Sequence, residues 1–284
     1  MKVSPTDSQS KGVFTECPVV GYLGPAGTYT EEAAEVYFRT GFNPQLFFSL
    51  DDVFDAVESG GVDFGVVAIE NTTEGAVPRT LDLLSTTSLK IYGELSLPIQ
   101  HHLLTSTGSI EGLVRVRAHA HALAQCHHWL TENTPLLVRE AVLSNAEAAR
   151  MAMTDPTSAA IASAGSARQY GLKISCSAIQ DDPLNRTRFL ILHKKDSDYT
   201  ENAKTSLIVS VKNEVGALQS IVEPFTRHGV SMARFESRPA KTGAWEYNFY
   251  VDLIGHRKDA NVAQALTDLS SYATVRMLGS YRRE

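Results

Sequence analysis

The 284-residue chain has only three cysteines, Cys17, Cys126 and Cys176. The number is odd and no two form a C-x-x-C pair, which argues against a disulfide framework or zinc ribbon and for a reducing, cytoplasmic setting. No apolar run is long enough to span a bilayer. Residues 1–17 lack the apolar stretch of a signal peptide and read as a frayed tail. Excess positive charge is missing as well: 26 Lys and Arg stand against 32 Asp and Glu, a net charge of -6. Nucleic acid is therefore not an expected partner. The balance exerts no global pull on an anion either, so an anionic ligand must be held by local donors. What remains is an ordinary globular composition, 43% hydrophobic and 20% charged, in a chain long enough to bury a sizeable core.

The first two-thirds alternate short β-branched runs with helical patterns. Strands are expected at 19–23, 64–69, 91–97, 102–105, 136–139, 159–162, 174–179 and 187–193. Helices are expected at 30–39, 50–57, 122–131 and 144–153, with one more ending at Gly171. Ser49 and Asp52 are a plausible cap pair for the second helix. This alternation predicts an α/β fold with mostly parallel strands, and such sheets bind ligands beyond the carboxyl ends of their strands. That rule singles out the loop after Leu23 and the segment after Ile69. The polar stretch 194–204 reads as a linker. Beyond it the order β-α-β-β-α-β, with strands at 205–211, 230–236, 245–254 and 272–278 and helices at 217–227 and 262–270, is the ferredoxin-like split unit. The expected division is a tail at 1–17, an α/β domain at 18–198 and a ferredoxin-like domain at 203–284.

Four segments carry candidate chemistry. In GYLGPAGTYTEEAA (21–34) a strand enters a glycine turn and then a helix. Thr28 with Glu31 fits a capping box, and exposed amides near Gly27 and Thr28 suit an anion. It is neither G-x-G-x-x-G nor a P-loop. In VVAIENTTEGAV (66–77) a buried strand runs directly into polar groups: Glu70 as a possible acid or base, Asn71 and Thr72 as donors. In NRTRFLIL (185–192) strand alternation puts Thr187 and Phe189 on one face and Arg188 on the other. Around Gly216-Ala217-Leu218 a glycine leads into a helix N-terminus that favours a carboxylate. The histidines at 119, 121, 127 and 128 lack a carboxylate at ligand spacing, so no metal is expected.

In order and spacing, these stretches, with GALQSIVEPFTRHGVSMARFESRP (216–239) and WEYNFYVDL (245–253), resemble the prephenate dehydratase family from about Val19 to Tyr281. The resemblance implies two α/β lobes like a periplasmic binding protein, a cleft between them, and a C-terminal ACT domain that binds L-phenylalanine. No chorismate mutase segment precedes Val19, so the monofunctional form is expected. The implied reaction is decarboxylative dehydration of prephenate, with no cofactor, in a homodimer or homotetramer. Arogenate is the competing substrate. The resemblance implies Thr187, Glu70 and Asn71 as catalytic residues. It implies Gly27, Thr28, Thr72, Gln125, Ser144, Arg188 and Phe189 as substrate contacts. Asn213, Gly216, Ala217, Leu218, Met232, Glu236 and Ser237 are the implied effector contacts. Two positions depart from the family pattern in the cleft: His119-Ala120-His121 replaces His-Pro-Gln, and Asn145 replaces threonine.

Overall fold

The computed structural model describes residues 17–39, 41–212, 214–240 and 246–284. Asn213 and Trp245, both expected in functional or strand segments, lie outside the described residues.

A first lobe is built from β1 (Val19–Leu23), α1 (Tyr29–Tyr37), β2 (Asn43–Phe47), α2 (Leu50–Ser59), β3 (Phe64–Asn71), β4 (Gly75–Ala76), α3 (Pro78–Leu84) and β5 (Lys90–Pro98). The chain then crosses to a second lobe: β6 (His102–Thr105), β7 (Arg115–Ala118), α4 (Ala120–Gln125), α5 (His127–Asn133), β8 (Val138–Ala141), α6 (Asn145–Thr154), β9 (Ser158–Ala162), α7 (Ala164–Tyr170) and β10 (Lys173–Cys176). It returns through β11 (Arg186–His193), which inserts between β3 and β5 of the first sheet. Strand orders are β2-β1-β3-β11-β5 and β10-β6-β9-β7-β8. Two crossings between two α/β sheets are the binding-protein-like arrangement.

The sheets are mixed rather than mostly parallel. β1 runs parallel to β2 and β3, but β11 is antiparallel to both its neighbours. A strand that re-enters from the other lobe arrives in the opposite direction, so the second crossing dictates this. The expected helix over 122–131 is two helices that meet at Cys126, because the Asp181 carboxylate accepts from the backbone of His128 at 3.0 Å and Trp129 at 3.1 Å and starts a new helix there. β2 and β7 carried no readable alternation. β2 is largely exposed, and β7 buries Arg117, which Glu140 and Asp155 neutralise at 2.9 and 3.2 Å.

The third unit comprises β12 (Ala203–Ser210), α8 (Ala217–Arg227), β13 (Met232–Pro239), β14 (Tyr247–Ile254), α9 (Ala260–Leu269) and β15 (Thr274–Arg282), ordered β13-β14-β12-β15. Both helices cover one face, where Leu207, Ile221, Phe225, Val251 and Leu253 form its core. The other face is laid on the first lobe: Ile208, Tyr250, Leu278 and Tyr281 join Val67, Ile69, Leu190 and Leu192 in one apolar cluster. Close approach depends on Gly279, where a Cβ would stand 3.2 Å from Ile91 N and closer still to its carbonyl oxygen. Backbone cannot retreat as a side chain can, so Gly279→Ala is expected to lower stability by about 1–3 kcal/mol or more by overpacking. Chemical denaturation of the variant, with unchanged stability as the contrary result, checks this.

Candidate active site

Thr187 lies opposite Asn71 in the β11–β3 register, and the Asn71 amide donates to its hydroxyl oxygen at 2.8 Å. Simple alternation does not give this pairing. In β3, Val66 faces the core shared with Phe189 and Ile191, whereas Val67 and Ile69 face the regulatory unit. Strict period-two order would put Glu70, not Asn71, on the Thr187 side. A bulge intervenes: the register steps from Arg188↔Glu70 to Phe189↔Ala68, leaving Ile69 as the extra residue. Glu70 is thereby turned to the regulatory face and Asn71 to the Thr187 side.

Asn71 is held at every polar atom. Its oxygen accepts from the amides of Thr73 and Glu74 at 2.9 and 3.0 Å, and its nitrogen also reaches Asn185 Oδ1 at 2.7 Å. Asn185 Nδ2 donates to Gln125 Oε1 at 3.1 Å, and Gln125 Nε2 donates to Glu74 at 3.0 Å. Oε1 of Gln125 is an acceptor only, so the His101 Nε2 beside it at 2.8 Å carries the proton. Burial pulls the His101 pKa down against the raising effect of that hydrogen bond, which keeps the ring neutral at pH 7. A line of amides thus runs from Thr187 in one lobe to the histidine at the lobe junction and to α4 of the other lobe.

Gln125 and His101 line a cavity of about 230 Å³ between the lobes. Four helices begin at it. Thr28 caps α1, His119 caps α4, Ser144 caps α6 and Ser163 caps α7, each accepting a backbone N–H of the first turn. Helix N-termini carry partial positive charge, so their convergence favours negative charge at this point of a chain of net negative charge. The floor is closed by Gly27, whose carbonyl accepts from Ser163 Oγ at 3.0 Å and Ser166 Oγ at 2.7 Å, joining the lobes. A Cβ there would come 3.0 Å from Ser166 Cα, and φ is +85°, so only glycine fits. The Gly27 amide is itself taken by the Glu31 carboxylate at 2.5 Å, so it cannot serve as the expected anion donor.

Of the residues singled out in the sequence, Thr187, Asn71 and Gln125 belong to one connected network, and Thr28 and Ser144 stand at the cavity beside it. Thr72 is exposed and staples the two strand ends: its hydroxyl accepts from Arg186 N at 2.9 Å. Three further expectations at the cleft need correction. Glu70 bonds Arg188 at 3.1 Å and Arg234 at 2.7 Å on the face away from Thr187. Arg188 points the same way, to Glu94 and Asp252, each at 2.7 Å. Phe189 is buried in the first lobe's core. The two unusual cleft positions find partners: Asn145 Oδ1 accepts from His119 N at 2.8 Å, and His121 Nδ1 lies 3.7 Å from Glu74. The Cys126 thiol is buried and pushed up to about 12 by desolvation, which leaves it no nucleophile. His101, Asn185, Ser163 and Ser166 were not singled out. The cap-like Ser163 before a helix was the readable signal among them.

In the third unit a cavity of about 430 Å³ opens at the start of α8, lined by Gly216, Ala217, Leu218, Ser237, Tyr247 and Phe249. Met232 packs into that unit's core instead. Glu236 alternates with Ser237 and so shares the face of Arg234 and Arg238, which reach the first lobe at Glu70 and Asp82.

The architecture defines a class: a two-lobed α/β protein with a cleft between the lobes, joined to a βαββαβ module. Residues 20–197 match the family model for prephenate dehydratase, and residues 205–271 that for the ACT domain. The chain belongs to the prephenate dehydratase family. It is 44% identical over 279 residues to a bifunctional chorismate mutase/prephenate dehydratase of Neisseria gonorrhoeae, covering 95% of this chain and 77% of that one. A solved prephenate dehydratase of Arthrobacter aurescens in complex with L-Phe superposes with a TM-score of 0.86 at 33% identity, covering 93% and 90% of the two chains. A quorum-quenching acylase superposes with a TM-score of 0.86 at 28% identity, covering 94% and 98%.

Proposed function

We propose that the chain converts prephenate to phenylpyruvate, carbon dioxide and water, and that L-phenylalanine regulates it through the cavity at α8. The observation that carries the reading is the Asn71–Thr187 hydrogen bond at the end of an amide network leading to the anion cleft. Prephenate is a dianion. Its two carboxylates suit a cavity ringed by the N-termini of α1, α6 and α7, with the ring hydroxyl directed to Thr187. As the carboxyl carbon leaves, its bonding electrons enter the ring and the carbon–oxygen bond to the hydroxyl breaks. One proton is consumed to make water. With its oxygen accepting from Asn71, the Thr187 hydroxyl has its own hydrogen to give, strengthened by that bond. It is too weak an acid to transfer the proton outright at neutral pH. It stabilises the departing hydroxide electrostatically, and solvent supplies the proton. Aromatisation drives the reaction, so no electron-sink cofactor is required. Glu70 does not reach the hydroxyl, because it faces the other side of the sheet, against Arg188 and Arg234.

The effector reading rests on the α8 N-terminus for a carboxylate and on Tyr247 and Phe249 for an aromatic side chain. A cytoplasmic homodimer or homotetramer fits, since β13 is an edge strand. Acyl hydrolysis is disfavoured, because Thr187 is bonded to an amide rather than to a base and Cys126 is an inert thiol. The deciding experiment follows phenylpyruvate formation from prephenate by the pure protein, with arogenate as competitor and with phenylalanine added. Turnover of prephenate that changes with phenylalanine is expected. Absence of phenylpyruvate overturns the proposal.

A further inference from the structure

The regulatory sheet does not merely rest on the first lobe; it closes a six-charge cluster with it. Arg188 of β11 bonds Glu70 (3.1 Å), Glu94 (2.7 Å) and Asp252 (2.7 Å). Arg234 bonds the other oxygen of Glu70 at 2.7 Å, and Lys204 bonds Glu94 at 2.7 Å. Three cations thus face three carboxylates, drawn from β3, β5 and β11 on one side and β12, β13 and β14 on the other. Ser206 and Tyr281 complete it: the Ser206 hydroxyl donates to Asp252 at 2.5 Å and lies 2.6 Å from the Tyr281 hydroxyl. Two members are chain neighbours of the Asn71–Thr187 pair: Arg188 follows Thr187, and Glu70, next to the bulged Ile69, precedes Asn71.

We propose that this cluster is the coupling element between the cavity at α8 and Thr187, with Arg234 as its switching member. The inference rests on the reading of the cleft as the prephenate site. Allosteric coupling requires an element with two arrangements that both sites bias, and Arg234 has the features of one. Its Nη2 is buried and, among the described residues, has no hydrogen-bond partner. A second acceptor stands nearby: Arg234 pairs in register with Asp252 of β14, and its charge acts on that carboxyl. The strand that carries it is the outermost of its sheet, and its pairing is irregular between Met232 and Arg234. The same two strands line the effector cavity, through Ser237 of β13 and Phe249 of β14. A ligand that draws β13 towards α8 shifts Arg234 from Glu70 towards Asp252. Glu70 then bears on Arg188 alone, the bulge relaxes, and Asn71 no longer holds the Thr187 hydroxyl in place. The effect falls on kcat more than on KM.

The test compares wild type with Arg234→Met in three readings: phenylpyruvate formation with and without phenylalanine, phenylalanine binding by calorimetry, and hydrogen exchange. Couplings of this kind are about 5-fold or more. Wild type is expected to show a phenylalanine-dependent change in kcat of that order. In Arg234→Met the ratio collapses towards unity, whatever the basal rate becomes, while phenylalanine still binds. Should the methionine variant fail to fold, Arg234→Lys keeps the charge without the second donor and is expected to lose most of the response. In wild type, phenylalanine is expected to alter exchange at residues 70–72 and 186–188. A full response in a variant that binds phenylalanine overturns the proposal. So does a wild type that turns over prephenate without responding, or one whose exchange at those residues is unmoved by bound phenylalanine. A wild type that makes no phenylpyruvate at all defeats the functional reading instead.

Discussion

Thr187→Val lowers kcat for prephenate by about 10²–10³, the usual cost of removing one donor from a developing oxyanion, while KM stays within a few-fold. Valine keeps the shape and the strand preference of threonine and removes only the hydroxyl. Thr187 accepts its hydrogen bond from Asn71 at 2.8 Å and contributes nothing to the four helix starts around the cavity, where the carboxylates are expected to bind. Binding and catalysis are therefore separable at this position. Thr187→Ser, which restores the hydroxyl, recovers most of the rate. Steady-state kinetics of the two variants checks the pair; a valine variant with wild-type kcat removes Thr187 from the chemistry.

The second large effect is on stability. Arg188→Met destabilises the protein by about 3–5 kcal/mol, because it strands buried carboxylates whose partner has been removed. Asp252 suffers most. Burial alone pushes its carboxyl up, but the Arg188 guanidinium and the Ser206 hydroxyl outweigh that and hold it below its ordinary value of 3.8. A carboxyl depressed in the folded state adds stability that is fully present above its unfolded pKa and is lost as pH falls through the folded one. The deficit of Arg188→Met against wild type is thus largest near neutrality and shrinks as pH drops below about 4. Denaturation at a series of pH values reads this directly. A deficit that is constant with pH contradicts the assignment.

Much of this is legible in the sequence. β1, β6 and α8 begin and end where the hydrophobic pattern places them, and Ser49, Gly171 and Ser144 mark helix ends through caps that the structure contains. Local chemistry fixes such features. The misreadings have a common source in tertiary context. Nothing local announces that Ile69 is the extra residue of a bulge, yet that residue decides which of Glu70 and Asn71 meets Thr187. Nothing local reveals that the sheet face bearing Arg188 is covered by another domain, so a charged strand residue beside Thr187 reads as a ligand for substrate. The mixed strand direction follows from a chain that leaves the lobe and returns about ninety residues later, a distance over which periodicity carries no information. His101 and Asn185 matter through partners far away in sequence, Gln125 and Asn71.

A crystal structure of Thr187→Val with prephenate bound tests the central claim most directly. The slowed variant is expected to trap substrate in the cleft, its carboxylates against the N-termini of α1, α6 or α7 and its ring hydroxyl facing the side chain at 187, near enough for a hydroxyl there to reach it. Substrate seated elsewhere, or turned with a carboxylate against residue 187 and its hydroxyl towards solvent, contradicts the account.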